Sequence, residues 1–174
     1  IAPNAELNCL TLGGVGAGTT LEYIQCHNGT DDAFEWFGGN VNAKYLVATG
    51  NDDDNLDMDF GFSGRIQYVY VRTDSQVDTA DGRCVESDNA TSTGNQNALP
   101  RTQPRIANLT CSGPQGFEAL RLRRGSAGNY YNSVFTGYSS CLRLTAGEIY
   151  TAAGTPGALS GTTSRASTPG QTTG

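Results

Sequence analysis

The sequence predicts an all-β chain coiled as a parallel β-solenoid, and three observations carry that expectation. One pattern of about 22 residues recurs from Leu21 to Arg72. It reads Leu21-Glu-Tyr-Ile-Gln-Cys26, Ala43-Lys-Tyr-Leu-Val-Ala48 and Ile66-Gln-Tyr-Val-Tyr-Val71, aligned on Tyr23, Tyr45 and Tyr68. A second series lies between these, Asp31-Asp-Ala-Phe-Glu-Trp-Phe37 and Asp53-Asp-Asn-Leu-Asp-Met-Asp59, aligned on Phe34 and Leu56. Both series alternate apolar and polar with period two, the mark of a strand, and no long window carries helical spacing. Two strands per coil, joined by Gly-rich corners, let successive coils pair their backbones at about 4.8 Å. A sandwich of antiparallel hairpins would need no columns at this period.

The elements follow in order. Ile1 to Glu6 is a lead-in, and Leu7 to Leu12 is the first strand of the Phe34 series, with Leu10 and Leu12 apolar. Gly13-Gly-Val-Gly-Ala-Gly18 turns the chain. It is no phosphate loop, because a β-type run and not a helix with Lys and Ser/Thr comes next. Ile24 and Cys26 alternate with Tyr23 and Gln25, Phe34 and Trp36 with Glu35, and Leu56 and Met58 with Asp57, so one face is apolar and the other charged. The turns Gly38-Gly-Asn40 and Gly61-Phe-Ser-Gly64 are alike in length. Cys84-Val-Glu-Ser87 puts Val85 and Glu86 at the Phe34 and Glu35 positions. Asp88 to Gln103 then reads as one long polar loop thrown out of the stack, where function often sits. The pattern resumes at Ile106 to Cys111, Leu120 to Leu122, Asn132 to Thr136 and Cys141 to Leu144. The expected inner columns are Phe34, Leu56, Val85, Leu120 and Leu142, and Ile24, Leu46, Val69, Leu109 and Val134. Residues 1–150 form the solenoid domain; residues 151–174, almost wholly Thr, Ser, Gly, Ala and Pro, form a flexible tail or linker.

Composition narrows the function classes. A net charge of −6 and a pI near 4.6 argue against nucleic acid or an anionic membrane as partner, both of which want a basic face. No apolar run approaches the roughly 18 residues of a membrane span. The chain opens on Ile1 and not Met, so an upstream segment is expected to have been removed. Five cysteines and three Asn-X-Ser/Thr triplets, at Asn28, Asn89 and Asn108, point to an extracellular or cell-surface setting. Asn28 and Asn89 fall in predicted loops, whereas Asn108 falls in a predicted strand and suits a glycan least.

The strongest polar constellation is acidic. Stacked coils bring Asp31 and Asp32 beside Asp53 and Asp54, and Glu35 beside Asp57, at about the coil spacing. Carboxylates so close repel unless neutralised. Calcium, held by several carboxylate oxygens, is the one cofactor candidate, at Asp31, Asp32, Asp53 and Asp54; the alternative is a solvated ridge with raised pKa values. Paired carboxylates also suit polysaccharide cleavage, but only by analogy of fold. Arg121 falls in the column of Glu35, Asp57 and Glu86 and complements that ridge. His27, the single histidine, is a surface residue. Cys9, Cys84 and Cys141 occupy equivalent inner positions, and Cys26 and Cys111 equivalent strand ends. Two like bridges between adjacent coils, Cys9 with Cys26 and Cys84 with Cys111, leave Cys141 free; Cys111 with Cys141 is the alternative.

The phrases Leu10 to Ile24, Asp31 to Val47, Leu120-Arg-Leu-Arg-Arg-Gly125 and Pro104 to Leu109 resemble a group of secreted bacterial proteins of unassigned function, thought to be right-handed parallel β-helices. The likeness covers most of Leu7 to Leu144 and matches their C-terminal half. It implies a right-handed parallel β-helix and a surface address, with no catalytic residues to carry over, and the five cysteines are no part of the pattern. A stack that begins at once, without a capping helix, invites strand addition at its end. The expected function is therefore a non-enzymatic extracellular structural protein. It would be a subunit of a surface filament or adhesin, with copies of itself as partners in a homopolymer. The alternative is a carbohydrate-binding or carbohydrate-cleaving β-helix using Trp36, the tyrosines and the carboxylates. Trp36 serves as a sugar platform only if it points outward.

Overall fold

The computed structural model describes residues 6–74, 82–90 and 95–145. Its regular elements there are all strands, in two six-stranded parallel sheets. Sheet A stacks β1 (Leu10–Gly13), β3 (Phe34–Phe37), β5 (Leu56–Asp59), β7 (Val85–Asp88), β9 (Glu118–Arg123) and β12 (Ser140–Thr145). Sheet B stacks β2 (Thr20–His27), β4 (Asn42–Thr49), β6 (Arg65–Arg72), β8 (Arg105–Ser112) and β10 (Asn129–Tyr131), and β11 (Val134–Thr136) also pairs with β8. Strands alternate between the sheets along the chain, so each coil contributes one to each. This is the parallel β-helix that the repeat predicts, right-handed as the resemblance implies. No helix among the described residues is long and apolar enough to cross a membrane. The expected tail 151–174, the lead-in 1–5 and parts of both long connections, 75–81 and 91–94, lie outside the described residues.

Register follows the columns. Phe34 pairs with Leu56, Leu56 with Val85, Val85 with Leu120 and Leu120 with Leu142, as expected. Between the sheets these side chains form one core. Trp36 is fully buried there, its ring 6.0 Å from Phe34 and 5.4 Å from Phe62. It faces inward and offers no platform to a sugar. In sheet B, Ile24, Leu46, Val69 and Leu109 are in register, but Val134 is not their continuation. Val134 pairs with Thr110 and is exposed, while Phe135 pairs with Cys111 and points into the core. The flanking register puts Ser133, not Val134, beside Leu109, so the expected column is off by one residue in this coil.

The break between β10 and β11 at Asn132 belongs to a series. Tyr23, Tyr45, Tyr68, Asn108 and Asn132 all have left-handed backbone, with φ between 45° and 59°, and the register of the flanking residues places them in one column. Period two fails there. In β4, Ala43, Leu46 and Ala48 are buried, and both Lys44 and Tyr45 lie on the outside. One left-handed residue per coil bends sheet B into two limbs and closes the cross-section. The loop thought to be thrown out is also corrected in its described part. Thr102 is buried and accepts a hydrogen bond from the Gly61 amide at 2.8 Å, and the Gln103 amide donates to the Phe62 carbonyl at 2.7 Å. Gly61, with φ 86°, lies directly beneath Pro100, and a side chain at Gly61 would collide with it.

Cys9 pairs with Cys26 and Cys84 with Cys111, and Cys141 is free. Each bridge joins the start of a sheet A strand to the end of the sheet B strand that follows it, 17 and 27 residues on, where the chain passes into the next coil. It spans the corner where the coil closes. Inside the neighbouring corner runs a polar chain. Asn51 donates to Asn55 at 3.2 Å, Asn55 donates to Thr73 at 3.1 Å, and Thr73 meets the Tyr138 hydroxyl at 2.9 Å. These groups are buried, and each bond satisfies a polar atom that water cannot reach. Replacing Trp36 by alanine empties the middle of the core. Chemical denaturation is expected to show a loss of about 3–5 kcal/mol, against less than about 0.5 kcal/mol for Gln25→Ala on the surface.

Candidate functional site

The outer face of sheet A collects the carboxylates. Glu35, Asp57 and Glu86 stand in one column, which continues into Arg121 and Arg143. Asp31, Asp32 and Asp53 bring ligand oxygens within 4.8 Å of one another, and so do Asp32, Glu35 and Asp57. All these donors are carboxylate oxygens, which suits a hard cation such as calcium, and Asp32 is shared by both groups. Asp54, expected beside them as a ligand, instead accepts the Arg83 backbone N–H at 2.9 Å and faces the Arg83 guanidinium at 3.7 Å.

The ridge is only partly solvated, since Asp31, Glu35, Asp53 and Asp57 are half-buried and two of its acids are buried. Asp32 is 7% exposed and Asp54 4%. Burial, then the charges of Asp53, Glu35 and Asp31, push Asp32 up to about 9. Burial and the charges of Asp88, Glu35 and Glu86 push Asp59 to about 7, against the pull of Arg123. Asp54 and Asp57 are raised well above the usual carboxylate range, chiefly by burial. Further along the stack the acids meet cations. Arg83 bonds Glu118 at 3.0 Å, Arg123 bonds Asp88 at 2.8 Å and also holds Glu86, and Arg124 reaches Asp88 at 2.7 Å. Arg83 was not singled out by sequence, since it lies outside the repeating pattern. The first coils therefore neutralise carboxylates with protons, and the later coils use arginine.

The outer face of sheet B is different. Tyr23 stacks on Tyr45 with ring centroids 4.6 Å apart, and Tyr45 on Tyr68 at 5.2 Å, nearly parallel. Tyr23 is 76% exposed. The row forms one wall of a groove of about 500 Å³, with Ile24, Leu46 and Val69 beneath and Gln25, Val47 and Tyr70 opposite. Asn108 sits at one end. Lys44 covers the Tyr45 ring at 5.5 Å and pairs with Glu22 at 3.2 Å. The tyrosine column is visible in sequence as a mark of the repeat. The groove is not, because it needs the bend that sets Tyr45 and Val47 on either side of Leu46.

The three triplets fare differently. Asn28 is exposed. Asn89 is buried, and its side-chain amide donates to the carbonyls of Gln96 at 3.0 Å and Ala98 at 2.9 Å. A glycan on Asn89 would take one of the two amide hydrogens these bonds use and has no room at a buried side chain, which argues against that site in the folded chain. Asn108, in β8, accepts from the Asn132 side chain. His27 lies at the surface with Nδ1 2.8 Å from the Thr49 hydroxyl.

The raised carboxyls set the pH response. Their folded pKa values lie above the unfolded ones, so the native chain holds more protons between about pH 4 and pH 9, and stability falls as pH rises through that window. Thermal melts are expected to give a lower midpoint at pH 9 than at pH 5, and Asp32→Asn should shrink the difference. Calcium at pH 8 lifts the midpoint only if the same oxygens take up an ion, and Asp53→Asn must then abolish the gain.

No curated protein and no solved structure matches the chain. A family model described as a pectate-lyase-like β-helix domain matches residues 1–164. With two stacked parallel sheets and that match over most of its length, the chain belongs to the pectate-lyase-like β-helix domain family.

Proposed function

We propose that this protein binds carbohydrate without turning it over, using the tyrosine groove of sheet B. The observation that carries the reading is the in-register stack of Tyr23, Tyr45 and Tyr68 along an open groove, facing Gln25, Val47 and Tyr70. Ligand sites of this size combine apolar and aromatic walls with a few polar groups. Tyrosine supplies both at little entropic cost, through a rigid ring and a hydroxyl. Membership of a pectate-lyase-like family supports a carbohydrate-related role. Binding without cleavage is favoured because, among the described residues, no carboxylate, histidine, lysine or cysteine lines the groove. The acids that could act as proton donors stand on sheet A, tied to one another or to arginine. Two disulfides suit an extracellular setting.

Asn108 and Asn132 already occupy the left-handed column, so Tyr45→Asn and Tyr68→Asn keep a backbone conformation that asparagine tolerates. Affinity electrophoresis in polysaccharide gels is expected to show a loss of about tenfold or more for each. The thermal midpoint should stay near the wild-type value, and Asp57→Asn should bind normally. Full retention of binding in both tyrosine variants would sink the proposal.

A second reading, self-association into a filament, rests on the outer edges of β1, β2 and β12. These pair with no other strand among the described residues. An unpaired parallel edge is a template for another chain. Sedimentation over a wide concentration range is expected to show growing polymers if this holds, and a constant monomer removes the reading.

A further inference from the structure

The groove has a direction and a chemistry that narrow its ligand. Its walls come from three successive coils in register, Tyr23 to Gln25, Tyr45 to Val47 and Tyr68 to Tyr70, and then Asn108. It therefore runs along the helix axis, across the strands. Its features repeat at the coil spacing of about 4.8 Å, as the ring separations of 4.6 and 5.2 Å confirm. A ligand that fills it is extended and repeats at a comparable distance, as a chain of pyranose rings does. Three intervals span about 14 Å, room for about three rings.

Among the described residues, none that lines the groove carries a formal charge. The nearest charges are matched locally, Lys44 by Glu22 at 3.2 Å and Arg72 by Asp74 at 2.9 Å. Arg65 and Arg105 are in register with each other, but they precede the Tyr68 and Asn108 positions, on the side of the column away from the groove. A uronate chain laid in the groove would give up water around its carboxylates and gain no charge-assisted hydrogen bond, on a protein whose net charge is −6. Neutral hydroxyls find better partners in the four tyrosine hydroxyls, of Tyr23, Tyr45, Tyr68 and Tyr70, and the side-chain amides of Gln25 and Asn108. We infer that the groove takes a neutral, extended polysaccharide laid along the helix axis and discriminates against uronate-rich chains. This rests on the carbohydrate reading above and sets the protein apart from the acidic polymer in its family's name.

The full chain is run in affinity gels and calorimetry against hydroxyethyl cellulose, glucomannan, polygalacturonate and alginate, with a series of β-linked glucose oligomers. The neutral polymers are expected to bind at least about tenfold more tightly than the uronates. Affinity should be insensitive to salt and level off at about three to four rings. Gln25→Lys, at an exposed position, should move the preference towards polygalacturonate and introduce a salt dependence. Binding confined to the uronates and weakened by salt overturns this inference and leaves the carbohydrate reading standing. No binding to any polymer overturns both. So does concentration-dependent self-association that Tyr45→Asn removes, since the groove is then a contact between copies.

Discussion

Parallel in-register pairing between like coils is the constraint on which everything else in this molecule depends. Once β2, β4, β6 and β8 share one register, whatever chemistry occupies a position meets its own kind about 4.8 Å away. For apolar side chains this is favourable, and Phe34, Leu56, Val85, Leu120 and Leu142 become a continuous column. For aromatic rings outside the core it yields the parallel stack of Tyr23, Tyr45 and Tyr68. For carboxylates it is unfavourable, and the outer face of sheet A carries the consequence.

That consequence is met in two ways. Where the acids stack on acids, at Asp32, Asp57 and Asp59, protons are held more tightly than usual. From Glu86 onward the column changes sign, and Arg83, Arg121 and Arg123 face Glu86, Asp88 and Glu118. Removing either partner of such a buried pair leaves a charge without compensation, which costs more than the pair itself contributes. This face is occupied by its own electrostatics, whereas among the described residues the sheet B face presents the exposed tyrosines.

The left-handed column is the second device. A tyrosine with positive φ costs about 1–2 kcal/mol relative to the right-handed or extended backbone, and three successive coils accept it. In return the strand bends, the core closes, and each ring lies on the next, an arrangement worth about 0.5–1.5 kcal/mol per pair beyond burial. At Asn108 and Asn132 the same bend is made by the residue type that tolerates it best, and the stack ends. The groove thus follows the run of tyrosines and ends one coil further, at Asn108.

Much of this was determined by the sequence alone, because period and alternation are local. The coil repeat, the inward Phe34, Trp36, Leu56 and Met58, the acidic column running into Arg121, and the equivalence of Cys9 with Cys84 and of Cys26 with Cys111 all follow from spacing. The tertiary structure alone decided what spacing does not encode. The bend at Tyr23, Tyr45 and Tyr68 opened the groove, since a change in backbone handedness leaves no mark on apolar periodicity, and the register of the last coil put Ser133 where Val134 was expected. Burial turned the acidic ridge into a proton-holding cluster, and Asp54 towards Arg83, because both depend on what a distant connection lays over the sheet. Thr102 and Asn89 were drawn inward for the same reason: a polar sequence folds into the stack when its hydrogen bonds are met there, and composition cannot report that.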